Sequence, residues 1–593
     1  MRKWTAIVTV LVLMLSLVAC GANKGDEDAA QTTATTDSIL GESATPPDSG
    51  SASGSNGHSK STAGSKSSSG SKSSSGSKST SGKKSSSGSK SSSGTKSSST
   101  ASSSWEEEEA WESGPVRTVK YHVVDDGIFE TQFDTTYWKM PFAREDDGLL
   151  TRDGYVLLGY SYNQDGKGEL IRPGYKYTLK AQNKPQHLYC VWAKETKASD
   201  FTVKAIGSKS VYITAYKGSD KVVYIPRKIG GKTVTGIAAG AFSKNKSITE
   251  VHITSSVLTV EDQAFASCSN LKTVTLYDNL VSISDASFEG APIQTLRMCA
   301  GQTPRYMNSL ATFGKKYERL MQTAGKKRLV FLAGSNLQYG VDCDYIQTLF
   351  QNDYAAVNFG TDGNMNVAFF LDAIAPLLTK NDVVVFAPEQ YGKYAYHVNG
   401  NPEMNYPTFQ GIATCYNLME NVNVSNYTGV FGAIAQYCTV TSKMPELSWD
   451  APNKFLDEYG DLKTLTDQMN SPTYRKGANG YFHFDDTVIP ADFIPHLNRV
   501  IDTAKASGAT VVFTYPSVNR NNVEASSLNE SAFTAYNNWI AKTVHCQLIG
   551  DVRNYIYAGE YFYNTDYHLN AVGRKLHTKR LAADLIAANI GVK

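Results

Sequence analysis

A repeat of 23 residues restricts the possible folds of this chain more than any other feature of its sequence. Phe242, Phe265 and Phe288 are separated by this interval. A second set of apolar residues has the same spacing, and its members are Ile237, Val260 and Ile283. Each unit joins a short strand-like run, such as LKTVTL, to a turn. Because one unit cannot bury its own apolar face, neighbouring units must stack, and we predict a short solenoid over residues 198–300.

The repeat units share a recognisable pattern, seen in VTGIAAGAFSKNKSITEVHI and LTVEDQAFASCSNLKTVTL. An Ala-Phe pair is followed by Asn or Ser before Ile or Leu, and then by a short strand. This arrangement resembles the leucine-rich repeats of bacterial surface proteins. The resemblance implies an array that binds a surface partner, such as another surface protein, or one that serves as a spacer. The sequence leaves both roles open.

The first twenty residues, MRKWTAIVTVLVLMLSLVAC, combine two basic residues with an apolar stretch over 6–19. That stretch is short for a membrane-spanning helix and is typical of a secretory signal. Its last four residues, LVAC, resemble the lipobox of bacterial lipoproteins, which implies a lipid on Cys20. We therefore expect residues 1–20 to be a signal peptide and the lipid to hold the chain on the outer face of the cytoplasmic membrane. The alternative is an ordinary signal peptide with a chance cysteine.

Residues 21–115 have the composition of a spacer. From Ser65 the sequence nearly repeats SKSSSG, and residues 60–104 contain eight lysines and no acidic residue. Such a segment cannot bury enough apolar surface to offset the entropy lost on ordering, so we predict that it is disordered.

Residues 116–197 are rich in strand-forming runs, namely TVKYHVV, YVLLGYSY and HLYCVWA, with glycine and aspartate between them. We predict a small β-rich domain here. The pattern TRDGYVLLGYSYNQDGKG followed by LYCVWA resembles the small β-grasp-like repeat of internalin-type surface proteins.

Residues 301–593 have a different pattern, in which apolar strands alternate with helices. The predicted buried strands are RLVFLAGS, AAVNFG, VVVFAPE, TVVFTYPS and QLIGD. Continuous apolar runs are typical of a parallel sheet that is covered on both faces. The chain is thus predicted to be multidomain, with a doubly wound α/β/α domain at its C-terminal end.

Ser335 ends the first of these strands, at the edge of the sheet where ligands bind in such folds. A nucleophilic serine needs a base, and the base needs an orienting acid. His568 lies in NTDYHLNAVGRKL, just before the last predicted helix, and Asp566 is two residues earlier. This spacing would allow the Asp566 carboxylate to fold back onto the imidazole.

Together these motifs resemble the SGNH, or GDSL-type, hydrolase superfamily, in particular its surface branch of D-alanyl-teichoic acid proteins and alginate O-acetyltransferases. The resemblance implies Ser335 as nucleophile, His568 as base and Asp566 as orienting acid. VNFGTDGN resembles the block that contributes a backbone N–H to the oxyanion hole, which assigns that role to Gly363. The N–H of Ser335 is the second expected donor.

One block departs from the family pattern. The family has Gly-x-Asn-Asp after the third strand, whereas this chain has VVVFAPEQYG, with Glu389 or Gln390 at the asparagine position. A glutamine could donate to an oxyanion, but an ionised glutamate would repel it. Asn364 or Asn366 could instead supply the missing donor.

The nearly balanced charge of the chain, formally +2, argues against nucleic acid as a partner. Neither a metal motif nor a cofactor motif is apparent, so we expect no cofactor. The first functional hypothesis is an esterase or O-acyltransferase acting on O-acyl groups of an extracellular polysaccharide or wall polymer. The alternative is a non-catalytic adhesin or scaffold with a degenerate hydrolase domain.

Overall fold

The computed structural model describes residues 116–122, 128–134, 151–177, 185–301, 313–389, 401–441, 456–463 and 482–591. All of them belong to one compact unit, Ser97–Lys593. Three predicted features lie outside the described residues: the signal peptide with Cys20, the whole spacer and Gln390. The predictions made for those segments therefore stay predictions.

The first described element is a mixed four-stranded sheet with the order β2-β1-β4-β3. Its strands are β1 (Val116–His122), β2 (Ile128–Asp134), β3 (Tyr155–Ser161) and β4 (Gln186–Lys194). The β1 and β4 strands are parallel, and the outer pairs are antiparallel. Gly159 has a φ of +147°, and a side chain there would clash with the Ile171 carbonyl group. The predicted β-rich region is thus present, whereas its β-grasp-like classification stays a prediction.

Ten short strands follow and form two stacked sheets. They are β5 (Phe201–Ile206), β6 (Ser210–Tyr216), β7 (Val222–Tyr224), β8 (Lys228–Ile229), β9 (Lys232–Ile237), β10 (Glu250–His252), β11 (Thr259–Val260), β12 (Thr273–Tyr277), β13 (Ser282–Ile283) and β14 (Thr295–Cys299). One sheet has the order β14-β12-β10-β7, and the other has the order β13-β11-β9-β6-β5. The strands of successive coils pair in parallel, whereas β5 and β6 form an antiparallel hairpin at the N-terminal end of the array.

The spacing of 23 residues appears in the structure as a column of stacked rings. Phe242 and Phe265 have centroids 4.5 Å apart, and Phe265 and Phe288 have centroids 5.0 Å apart. Tyr216 continues the column at one end and Phe431, from the C-terminal region, continues it at the other. All three phenylalanines are buried. The prediction that neighbouring units stack is therefore confirmed.

The C-terminal region contains a five-stranded parallel sheet with the order β16-β15-β17-β18-β20. Its strands are β15 (Arg328–Ala333), β16 (Ala355–Gly360), β17 (Asp382–Phe386), β18 (Thr510–Phe513) and β20 (Gln547–Leu548). They coincide with the five apolar runs in the sequence. A separate two-stranded parallel pair consists of β19 (Val518–Asn519) and β21 (Ile556–Tyr557).

The α-helices of the described residues all follow the repeats. They are α1 (Phe313–Gln322), α2 (Ser335–Gly340), α3 (Cys343–Leu349), α4 (Val367–Ile374), α5 (Tyr406–Ile412), α6 (Asn417–Glu420), α7 (Val430–Thr441), α8 (Ile494–Ala506), α9 (Glu530–Thr543) and α10 (Ala571–Ala587). The side chain of Asn570 caps α10 by accepting from the backbone N–H of Gly573 at 2.9 Å. None of the helices described is both long enough and apolar enough to cross a bilayer.

Winding of the sheet reverses between β15 and β17. From β15 the chain passes first to β16 on one side and then to β17 on the other. Connections that leave in opposite directions open a crevice at the carboxyl ends of the two strands, where ligands bind in open α/β sheets. Ser335 follows β15, so it lies at this switch point.

Candidate serine site

Ser335 is the first residue of α2, two residues beyond the end of β15. Gly334 occupies the N-cap position between them, and a Cβ there would lie 2.9 Å from the Glu389 carboxyl carbon. A glycine is therefore needed for this carboxyl group to approach the backbone. The local geometry is a strand, a tight turn and a helix, which presents the Ser335 hydroxyl at the edge of the sheet.

Glu389 contributes the closest partner of this serine. It lies three residues beyond β17, the strand on the other side of the switch point. The Ser335 hydroxyl donates to Glu389 Oε1 at 3.0 Å, and the backbone N–H of Asn336 donates to the same oxygen at 2.8 Å. The Asn336 side chain donates to the carbonyl oxygen of Ala387 at 2.8 Å, which ties α2 to the segment that carries Glu389.

The Glu389 carboxyl group is almost fully buried, at 2% exposure. Burial raises its pKa from the usual 4.5 to about 7, because a charged carboxylate is poorly solvated there. The hydrogen bonds from Asn336 and Ser335 oppose this increase in pKa, and the nearby charge of Asp362 adds to it. Near neutral pH both protonation states of this group are thus accessible.

Gly363 lies beside this pair, in the loop after β16. A Cβ at Gly363 would be 3.0 Å from Glu389 Oε2 and 3.6 Å from the Ser335 hydroxyl oxygen. Three of the predicted site residues, Ser335, Gly363 and Glu389, are therefore neighbours. The assignment of Gly363 to an oxyanion hole stays a prediction.

The two alternative oxyanion donors already have partners. The Asn364 side chain donates to Asp362 Oδ1 at 2.9 Å. The Asn366 amide donates to the carbonyl oxygens of Asn401 and Glu403, at 2.6 and 2.9 Å. Its side-chain oxygen also caps α4.

His568 packs against Tyr339, the residue of α2 that lies one helical turn beyond Ser335. Its ring stacks on Tyr339, with 3.9 Å between centroids and 8° between planes. His568 Nδ1 is hydrogen-bonded to Asn564 Oδ1 at 2.8 Å, so Nδ1 carries the proton of the neutral ring. Desolvation lowers the pKa of His568 to about 3. Within the described residues, no hydrogen bond joins His568 to Ser335.

Asp566 is fully buried, and its carboxylate accepts from the side-chain amide of Asn522. Its carbonyl oxygen accepts from the backbone N–H of Asn519 at 2.9 Å. Asp566 and His568 are not hydrogen-bonded to each other in the part of the chain that the structure describes, and Asn564 takes the expected place of Asp566 on the imidazole. The predicted triad is thus not assembled by hydrogen bonds here, and its catalytic roles stay predictions.

A buried polar network beneath α2 fixes the position of this helix. The Lys316 ammonium donates to Gln338 Oε1 at 2.8 Å and to the Asn358 carbonyl oxygen at 3.0 Å. Asp461 accepts from the Asn358 amide and from the Arg574 guanidinium, both at 2.7 Å. Burial lowers the pKa of Lys316 to about 7. Sequence reasoning missed this network because its members lie far apart in the chain.

Comparison with known families identifies the repeats. A family described as the BspA-type leucine-rich repeat region matches residues 202–310 in six copies. The chain therefore carries BspA-type leucine-rich repeats in this segment, in agreement with the resemblance of its repeat units to bacterial surface leucine-rich repeats. A search of the curated proteins gave no match.

Three solved structures are similar to parts of the chain. The Treponema pallidum leucine-rich repeat protein is 20% identical and aligns over 32% of this chain and 72% of its own, with a TM-score of 0.16. Protein YXIM of Bacillus subtilis is 12% identical and aligns over 45% of this chain and 58% of its own, with a TM-score of 0.23. A leucine-rich cell surface protein of Faecalibacterium prausnitzii is 14% identical and aligns over 36% of this chain and 49% of its own, with a TM-score of 0.14. The alignments thus span less than two thirds of the second and third proteins.

Proposed function

We propose that this chain is a cell-surface protein of the SGNH type whose C-terminal domain hydrolyses or transfers O-acyl groups of an extracellular polysaccharide or wall polymer. One observation carries the proposal. The Ser335 hydroxyl lies at the switch point of a parallel sheet and donates to the buried carboxyl group of Glu389 at 3.0 Å. A serine hydrogen-bonded to a basic group is the arrangement that nucleophilic catalysis requires.

In this proposal the Ser335 oxygen attacks the carbonyl carbon of an O-acyl ester and becomes acylated. Water or a sugar hydroxyl then accepts the acyl group. Gly363 lies close enough to both Ser335 and Glu389 to border the reacting ester. Backbone N–H groups in this loop are the candidates to stabilise the negative oxygen of the intermediate, because the N–H of Asn336 at the start of α2 already donates to Glu389.

Ser335-dependent acylation is tested on the full chain with a fluorophosphonate probe, p-nitrophenyl acetate and an acetylated polysaccharide. We expect the wild type to react and Ser335→Ala to be inert. Ser526→Ala is the matched control, because its exposed hydroxyl also donates to a glutamate, Glu524, at 3.4 Å. This control should react like the wild type.

Equal labelling of the wild type and Ser335→Ala, or no reaction of either, would show that Ser335 is not a nucleophile.

A surface location through a lipid on Cys20 is the second part of the proposal. The BspA-type repeats at 202–310 and the lipobox-like LVAC support it. Mass spectrometry of the N-terminal peptide from a bacterial host should find a lipid on the wild type and none on Cys20→Ala. A wild-type peptide without lipid would contradict this part alone.

A second function, a non-catalytic surface scaffold, is favoured by a different observation. Among the described residues, no hydrogen bond joins His568 to Ser335, and the imidazole is bonded to Asn564 instead of Asp566. In this alternative the repeats bind a surface partner and the α/β region supports them. An inert wild type in the acylation assays is the outcome that favours it.

A further inference from the structure

We propose that Glu389, rather than His568, accepts the proton of Ser335 when this serine attacks an acyl ester. The inference rests on the proposed function and assigns the base of that same site. It changes the role of Glu389 from an oxyanion-hole residue to a catalytic residue in direct contact with the nucleophile.

The contacts of Glu389 are those of a base and not those of an oxyanion donor. Its Oε1 already accepts from the Ser335 hydroxyl and from the Asn336 N–H. An ionised carboxylate has no proton to donate and its charge would repel an oxyanion, so the form of Glu389 that can accept the serine proton cannot also be the oxyanion donor. The distance of 3.0 Å from the hydroxyl is within the range over which a general base abstracts a proton.

His568 is less suited to this task in the observed geometry. Its ring is stacked on Tyr339, a full turn of α2 beyond Ser335, and among the described residues no hydrogen bond joins either ring nitrogen to the serine hydroxyl. Desolvation also makes it a weak base, whereas the raised pKa of Glu389 lies near the pH at which a general base is most effective. The charged group that acts on Glu389 from the neighbouring loop is Asp362.

Each step balances without a further reactant. The Ser335 oxygen bonds to the acyl carbon while its proton passes to Glu389 Oε1. The ester C–O bond then breaks, and Glu389 returns the proton to the departing alcohol. In the second half, water or an acceptor hydroxyl attacks the acyl-serine and gives its proton to Glu389. The bond from the acyl carbon to Ser335 then breaks, and the serine oxygen regains the proton.

The test compares Glu389→Gln with His568→Gln in the full chain, measuring fluorophosphonate labelling rates between pH 5.5 and 9. Glutamine has the shape of a protonated glutamate, so Glu389→Gln should fold while lacking the base; thermal unfolding at pH 5.5 checks this. We expect Glu389→Gln to lose about 10²–10⁴-fold in rate, the usual contribution of a general base, and His568→Gln to stay within a few-fold of the wild type.

The pH profile gives a second readout. If Glu389 is the base, the wild-type rate should rise with pH and be half-maximal near pH 7. Asp362→Asn should move this midpoint to lower pH, because it removes a negative charge that raises the pKa of Glu389. A base with the lowered pKa of His568 would instead give a flat profile over this range.

The outcomes separate the inference from the proposed function. Ser335-dependent labelling that survives in Glu389→Gln and is lost in His568→Gln overturns the inference and leaves the proposed function intact. An absence of Ser335-dependent labelling in the wild type overturns both.

Discussion

The carboxyl group of Glu389 is buried and accepts a hydrogen bond from a serine. Burial destabilises its ionised form, whereas the hydrogen bond stabilises that form. Burial of a carboxylate is unfavourable, and the hydrogen bonds from Ser335 and Asn336 offset only part of that cost. The folded protein therefore binds a proton at Glu389 more tightly than the unfolded chain does. A side chain held at such a cost at the edge of a sheet is a candidate for function on physical grounds.

The stability of the protein should depend on pH through this residue. Because the pKa of Glu389 is raised in the folded state, its contribution is most favourable below about pH 4.5 and is lost as pH rises through 7. The unfolding free energy of Glu389→Gln minus that of the wild type should therefore increase by about 3 kcal/mol as the pH is raised from 4.5 to 8. Urea denaturation of both proteins at the two pH values measures this difference. A difference in unfolding free energy that stays the same at both pH values would contradict the raised pKa of Glu389.

At the scale of the element, the repeat array is stabilised by its column of rings. Phe265 is fully buried and stacked on both sides, by Phe242 at 4.5 Å and by Phe288 at 5.0 Å. Each ring covers the face of the next, so the apolar surface of one unit is removed from water by its neighbours. Stability of the array should thus be concentrated at these positions rather than in the short strands.

Truncation of the central ring tests this view. Phe265→Ala should lower the unfolding free energy by about 3–5 kcal/mol, the usual cost of removing a buried phenylalanine. Val281→Ala is the matched control within the repeats, because Val281 is 56% exposed and should change stability by less than about 0.5 kcal/mol. Urea denaturation compares the three proteins, and similar costs for both variants would argue against a stacked core.

At the scale of the whole molecule, the repeats and the α/β region are joined by a polar and aromatic interface. Glu420, in α6, accepts from Arg297 at 2.9 Å and from Tyr175 at 2.7 Å. Tyr416 donates to Asp278 at 2.8 Å. Phe431 covers the last ring of the column. These contacts link the first sheet, the repeats and the segment 401–441, so we expect the three to unfold together.

Loss of Glu420 should reveal this coupling. Glu420→Ala leaves Arg172 and Arg297 without their shared carboxylate and should lower stability by about 2 kcal/mol, the value of hydrogen bonds to a charged group. Calorimetry should show a single transition for the wild type, displaced to lower temperature in this variant. Glu289→Ala, at an exposed carboxylate of the repeats, is the control. Separate transitions of the wild type, with Glu420→Ala changing neither, would mean that the regions are independent.

The sequence alone determined the features that depend on local periodicity. The spacing of Phe242, Phe265 and Phe288 was enough to predict the stacked array, because the same side chain must recur at each coil to cover its neighbour. Continuous apolar runs predicted the five parallel strands, since both faces of the sheet are buried. The position of Ser335 at the end of a strand followed from the same pattern.

Tertiary structure decided which side chains meet. Ser335 and Glu389 lie 54 residues apart, and only the reversal of winding between β15 and β17 brings them within 3.0 Å. The short spacing of Asp566 and His568 favours a hydrogen bond between them, but Asn522 and Asn564 compete for both groups and are bonded to them in the fold. Local periodicity reports which face of an element is buried. Pairing of polar groups depends instead on distances between elements, which are fixed only when the sheet, its crossovers and the loops at its edge pack together.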